Sequence, residues 1–170
     1  DRRILLHRRL FKRGREAELA GTLRHELLHV LQHELGIPSN ALEMEIEAHL
    51  EDLEMLGQLG LEPSPDTFAR QAADALATGP DKFIALLEAA VPGSVFLGGD
   101  ADLSAIKEQM EEDLKHAEKR AHKSAESAQL VGIIKRDLEN IRSDEGRAAY
   151  QAFSRRVMLL LRSRAEAAAP

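Results

Sequence analysis

The sequence contains no cysteine and no tryptophan, and aromatic residues make up only 4% of it. Without cysteine, neither a disulfide framework nor a thiolate-ligated metal site is possible, so any metal must be bound by His, Asp or Glu. Because aromatics are scarce, the core depends on Leu, Ala, Ile and Val, which favours packed helices over a β-sandwich. No apolar run approaches the roughly 20 residues that span a bilayer, so we expect no membrane span.

Charge is divided unevenly along the chain. Residues 1–15 contain seven Lys or Arg and one Asp, a local balance of +6, and the whole chain is −6, so the remainder sums to −12. An acidic body of this kind is a poor partner for nucleic acid, and we expect no such partner. The basic start is most simply a solvated edge or the junction to another domain.

The two ends of the chain bear on its context. It begins with Asp and ends in an Ala-rich tail, which leaves a larger parent chain possible. No signal peptide is visible, so a cytoplasmic location is the default expectation, and the compartment is otherwise unknown.

Hydrophobic periodicity and turn residues predict a mainly α-helical protein with at most one or two short strands. Residues 3–11 suit a short strand. Residues 15–35 contain helix formers throughout and stop at Gly36, a residue typical of helix C-termini. A second helix over residues 41–59 follows this short turn, so the two helices are expected to form an antiparallel hairpin.

The remaining sequence predicts further helices. Residues 91–99 are Gly-rich and read as a linker or a single strand. Apolar residues recur at three- and four-residue steps over residues 101–142, which predicts one long helix. A last helix begins at Ser143 and runs to Arg164. We therefore divide the chain into a first region (1–62), short helices with a linker (63–99), and long antiparallel helices packed on the first part as one compact unit (100–170).

The most informative motif is HELLH at residues 25–29. On an α-helix, His25 and His29 differ by only about 40° and lie one turn apart, so they can bind one zinc ion together. Glu26 is then placed to act on a water molecule activated by that metal. Apolar neighbours predict that this helix is buried, and buried polar residues need partners.

A third ligand is expected on the returning helix, where Glu43, Glu45 and Glu47 compete. In an antiparallel hairpin, this part of the second helix returns to about the level of His29. Glu45 borders the apolar stripe of its helix and is the first choice. Glu43 and Glu47 are expected on the opposite flank, with Glu47 as the runner-up ligand. His49 lies within the stripe and is expected as a fourth polar group or as a partner of a ligand.

HELLH, followed after a short turn by a helix with Glu-x-x-Ala-His, resembles the gluzincin class of zinc metallopeptidases over about residues 3–56. The resemblance implies that residues 1–62 form a zincin-like metal-site region. It also implies a Zn²⁺ ion and hydrolysis of peptide bonds in a protein or peptide substrate by a zinc-activated water. Carried over by position, it implies zinc ligands and a general base at these residues: His25, His29 and Glu45 as ligands, and Glu26 as the base.

Two further expectations follow from this resemblance. His49 stands where the family usually has an Asp that orients a ligand histidine, and an imidazole orients less strongly than a carboxylate. The family also has a strand before the HExxH helix, which residues 3–11 would supply.

Two classes of function remain open. The leading one is a zinc-dependent endopeptidase. The alternative is a helical binding or assembly module, in which residues 101–164 engage a helical partner and the zinc site is structural or degenerate. An open coordination position favours the enzyme, whereas a fourth protein ligand such as His49 favours the structural role.

Overall fold

The computed structural model describes residues 8–11, 16–99 and 102–169, excluding the side chains of residues 9, 10 and 16–18. This part of the chain is mainly α-helical, as predicted, and contains no β-strand. A 3-10 helix at Arg8–Phe11 precedes seven α-helices. The helices are α1 (Glu16–Glu34), α2 (Leu42–Gln58), α3 (Phe68–Thr78), α4 (Pro80–Ala90), α5 (Ser104–Ala121), α6 (Ala125–Arg142) and α7 (Asp144–Ala168).

The predicted hairpin is formed by α1 and α2. Gly36 ends α1 with a φ of 75°, a conformation that a residue without Cβ adopts at little cost. The amide of Ile37 donates to the carbonyl of Gln32, and that of Gly36 to the carbonyl of His33, which is the Schellman arrangement of a helix C-terminus. These bonds fix the direction in which the chain leaves α1.

Helix α6 holds the turn between α1 and α2 from outside. The side-chain amide of Asn140 donates to the carbonyl of Gly36 (2.9 Å), and the amide of Ser39 donates to Asp137 (3.1 Å). A Cβ on Gly36 would lie 2.0 Å from the Asn140 amide nitrogen, so this approach also requires glycine. The turn is therefore held by two side chains of α6 that are distant in sequence.

Neither predicted strand is present among the described residues. Residues 8–11 of the first candidate form the 3-10 helix, and residues 3–7 lie outside the described part. In the second candidate, residues 91–99, a single β-bridge joins Val95 to Ala41. The amide of Val95 donates to Asn40 (2.8 Å) and its carbonyl accepts from Leu42 (3.0 Å). This segment is a linker that is hydrogen-bonded to the start of α2.

The prediction of one long helix over residues 101–142 was wrong. Helix α5 ends at Ala121 and α6 begins at Ala125. Ser124 caps α6 by accepting a hydrogen bond from the amide of Ser127 (3.0 Å). Helices α5 and α6 pack against each other. This fold-back buries most of the periodic apolar stripe, although Ala125 and Ala128 at the start of α6 are exposed. A hairpin therefore satisfies the same pattern as one long helix.

Helix α2 lies at the centre of the fold, with α1 on one side and α3, α4 and α7 on the others. The core residues are largely aliphatic, as the composition predicted. Fully buried members include Leu42, Ile46, Phe83, Leu87, Ile106, Tyr150, Val157 and Leu161. Ser143 caps α7 as predicted, by accepting from the amide of Gly146 (3.0 Å).

The expectation that α1 is buried was wrong. Of its described side chains only Gln32 is buried, and Leu27 and Leu31 are 53% and 59% exposed. The reason is that, within the described residues, α1 packs on α2 through one face and otherwise touches only the 3-10 helix. None of the described helices combines the length and the apolar character needed to cross a bilayer.

Candidate metal centre

Glu45 of α2 faces both histidines of the HELLH motif on α1. Its Oε2 lies 3.5 Å from Nε2 of His25, and its Oε1 lies 3.4 Å from Nε2 of His29. These distances are too long for good hydrogen bonds. They match the separation of about 3.4 Å between neighbouring ligand atoms of a tetrahedral zinc ion with bonds of about 2.0–2.2 Å. The two histidines approach different oxygens of Glu45, however. Among the described residues, the group of three whose ligand atoms all lie within 4.8 Å of one another is His25, Glu45 and His49, and it does not include His29.

Asp52, also on α2, orients His25. Its Oδ2 lies 3.0 Å from Nδ1 of His25, and because a carboxylate only accepts, Nδ1 must carry the proton. The other ring nitrogen, Nε2, is thereby directed at Glu45. This carboxylate behind a histidine is the arrangement that fixes the ring in many metal sites.

The carboxylates and imidazoles of this cluster shift one another's pKa values. Burial lowers the pKa of His25, but the nearby Asp52 and Glu45 carboxylates outweigh it and raise the pKa to about 9. Burial raises the pKa of Glu45, but His25, followed by His29 and His49, outweighs it and leaves the pKa below its ordinary value. A metal bound at Nε2 of His25 would therefore displace a proton.

His29 is oriented by a residue of its own helix. Its Nδ1 lies 2.8 Å from Oε1 of Gln32, which is buried. An amide oxygen only accepts, so Nδ1 of His29 donates and Nε2 is directed at Glu45. Both histidines therefore present the same nitrogen to the same carboxylate.

His49 lies at the edge of this cluster. Its Nε2 is 3.9 Å from Oε2 of Glu45, and its ring centroid is 4.8 Å from that of His25 and 5.0 Å from that of Phe68. Ligand atoms of His25, Glu45 and His49 all lie within 4.8 Å of one another, so this group could hold a metal ion. Burial, and then the charge of His25, lowers the pKa of His49 to about 4, which keeps its ring neutral near pH 7.

The other two candidate glutamates have different partners. Glu47 forms an ion pair with Arg156 and accepts from Gln32. Glu43 accepts hydrogen bonds from two side chains of α7 and two backbone amides of the linker, at 2.7–3.1 Å: Tyr150, Ser154, Leu97 and Gly98. Both carboxylates are buried, because α7 and the linker cover that side of α2.

Glu26 is half-buried on α1. At about 100° per residue, it is rotated about 100° from His25 and about 60° from His29, so it flanks the side of the helix that bears the two histidines. A cavity of about 280 Å³ lies beside the histidines between α1, α2 and α3. Its lining is His25, His49 and Asp52 together with Gly21, Thr22, Met55, Leu56 and Ala69.

Asp52 and Gln32 were not predicted as site residues. Each has a signal in its spacing: Asp52 follows Glu45 by seven residues, and Gln32 follows His29 by three, so each lies on the same helix face as a ligand. An acid that orients a histidine was expected at position 49 from the family pattern. In this chain it is Asp52, three residues later, that contacts Nδ1 of His25. His49 Nδ1 lies 4.0 Å from Oδ2 of Asp52.

Comparison with models of known protein families, with curated proteins and with solved structures gave no match to this chain. The resemblance to gluzincins therefore rests on the HELLH motif and the Glu45 helix alone.

Proposed function

We propose that this protein is a zinc-dependent peptidase of the gluzincin type. In this proposal His25, His29 and Glu45 bind Zn²⁺, and Glu26 is the general base in the hydrolysis of peptide bonds in a protein or peptide substrate. The observation that supports it is that both imidazoles turn Nε2 towards the Glu45 carboxylate, His25 at 3.5 Å from Oε2 and His29 at 3.4 Å from Oε1.

Each residue of the proposed site has a defined role. Bound zinc would supply Lewis acidity, which activates water and polarises a carbonyl group. Glu26 accepts the proton of the attacking water and passes it to the leaving amine. Asp52 holds His25 with Nε2 towards the ligand position, and neutral His49 lies next to the carboxylate of Glu45. The cavity beside His25 and His49 offers space for part of a substrate.

The decisive experiment is Glu26→Gln in the zinc-loaded chain, assayed against a fluorescently labelled unfolded protein. We expect one zinc per chain in both proteins and loss of cleavage by at least about 100-fold in the variant. Glu34→Gln on the same helix is the matched control and should cleave normally. Absence of cleavage by the zinc-loaded unmutated chain, or equal cleavage by Glu26→Gln, would contradict the proposal.

A helical binding or assembly module with a structural zinc site is the second candidate. It is favoured by one observation, the position of His49 within 4.8 Å of the His25 and Glu45 ligand atoms. A fourth protein ligand would close the coordination sphere and leave no position for water. The peptidase proposal expects His49→Ala to retain zinc within about tenfold, whereas the structural site expects a loss comparable to that of His25→Ala.

A further inference from the structure

A chain of hydrogen-bonded side chains leads from His29 to the protein surface. Its first member, Gln32, is 1% exposed and accepts from Nδ1 of His29 at 2.8 Å. Its second member is Glu47, which is 4% exposed. Its last member, Arg156 on α7, has a side chain that is 56% exposed.

The orientation of the Gln32 amide is determined by two acceptors. Its nitrogen donates to Oε2 of Glu47 (2.8 Å) and to the carbonyl of Met44 (3.2 Å). A carboxylate and a carbonyl cannot donate, so the amide cannot be turned over without losing both bonds. The oxygen of Gln32 must therefore face His29, and His29 must hold its proton on Nδ1.

The position of Gln32 depends in turn on Glu47, which is buried and contacts both Gln32 and Arg156. Arg156 forms an ion pair with Oε1 of Glu47, which leaves Oε2 for Gln32. The guanidinium lies 5.3 Å from the centroid of the Phe153 ring, a contact that holds it above this carboxylate.

We infer that Arg156 is a positioning residue for the ligand His29, acting through Glu47 and Gln32. The inference rests on the metal site of the proposed function and not on the hydrolysis. Arg156 is separated from His29 by two side chains, so its removal should alter the metal site without touching a ligand. The consequence is a zinc affinity that depends on a surface residue of the last helix.

Two variants test the inference in the full chain. Gln32→Met removes the hydrogen bonds at similar volume, and we expect zinc affinity to fall about 10- to 100-fold. Arg156→Met should lower it about three- to tenfold, and Arg156→Lys should restore most of that loss because it keeps the charge. Arg162→Met, at an exposed position on the same helix, is the control and should bind zinc normally. Affinity is measured by competition with a chromophoric chelator, with helix content checked by circular dichroism.

A spectroscopic readout separates positioning from a structural role. Nitrogen-15 NMR of the metal-free chain reports which ring nitrogen of His29 holds the proton when the ring is neutral. We expect Nδ1–H in the unmutated chain and a mixture of both tautomers in Gln32→Met. Unchanged tautomer and unchanged zinc affinity in both variants would overturn the inference, as would an Arg156→Met chain that loses thermal stability but binds zinc normally.

Failure of this inference is distinguishable from failure of the proposed function. A chain that binds zinc but does not cleave protein contradicts the peptidase and leaves the positioning role standing. Normal zinc binding by Gln32→Met, together with loss of cleavage in Glu26→Gln, contradicts the positioning role and leaves the peptidase standing. A chain that binds no zinc overturns both.

Discussion

Nδ1 of His25 lies 3.0 Å from Oδ2 of Asp52, so the acid that orients this histidine lies seven residues after Glu45 on the same helix. The gluzincin pattern leads one to expect it four residues after that glutamate, at the position of His49. Both spacings lie on one helix face, because four residues make about one turn and seven about two. The second turn of α2 thus supplies the contact that the first turn would supply in that pattern.

Loss of Asp52 should weaken the metal site more than it weakens the fold. For Asp52→Asn we expect zinc affinity to fall about 10- to 100-fold, because His25 loses its charged acceptor. Chelator competition measures this directly. Asp74→Asn, at an exposed position on α3, is the matched control and should leave the affinity unchanged. Equal affinity of the two variants would mean that Asp52 does not orient a ligand.

Glu45 and Glu47 should respond differently to the same substitution. Glu45→Gln replaces a ligand oxygen by a neutral amide, so zinc binding should fall by more than about 100-fold with little change in stability. Glu47→Gln keeps a polar group at its buried position, and zinc should still bind at one per chain with lower affinity. Metal analysis after dialysis against a weak chelator distinguishes them. The opposite ranking would make Glu47 the ligand.

The metal-free protein should lose stability as pH rises above neutrality. The pKa of His25 is raised from 6.5 to about 9 by Asp52 and Glu45, which outweigh burial. A raised pKa contributes stability that is fully present below pH 6.5 and is lost as pH rises through 9. We expect the free energy of unfolding in EDTA to fall by on the order of 1–3 kcal/mol over that window.

Urea denaturation at several pH values measures this slope, and Asp52→Asn should flatten it. The pKa values of His33 and His49 are lowered, chiefly by burial, so their effect falls on the acid side of pH 6.5 and does not overlap. A slope that is the same in Asp52→Asn would assign the effect to other groups.

Removal of the Glu43 carboxylate should destabilise the fold while the metal site keeps its ligands. Glu43→Ala leaves four donors without their acceptor, and we expect a loss on the order of 3 kcal/mol in the free energy of unfolding. Burial, together with Glu43, raises the pKa of Tyr150, so its hydroxyl remains a donor at any ordinary pH. Glu88→Ala, exposed on α4, should change stability by less than about 0.5 kcal/mol. A similar small change in Glu43→Ala would mean that water replaces the carboxylate.

Local features of the fold could be predicted from the sequence, and features that depend on distant partners could not. The sequence predicts the turn at Gly36, the two helices around it and the position of Glu45 opposite His25. These features depend on residues fewer than 30 positions apart. The break at residues 122–124 could not be predicted from periodicity, because a hairpin buries the same stripe as one long helix. The burial of Glu43 and Glu47 depends on α7, more than 100 residues away.

The sequence separation of these contacts also affects the order in which they can form during translation. Helices α1 and α2, which carry the candidate ligands, are neighbours in sequence, so their contacts can form early. Arg156, which pairs with Glu47, and the partners of Glu43 on α7 are synthesised more than 100 residues later. A nascent chain would therefore hold its candidate ligands in a hairpin without these contacts until α7 packs on α2. Tight metal binding, and any hydrolysis that depends on it, would then be delayed until α7 has been synthesised.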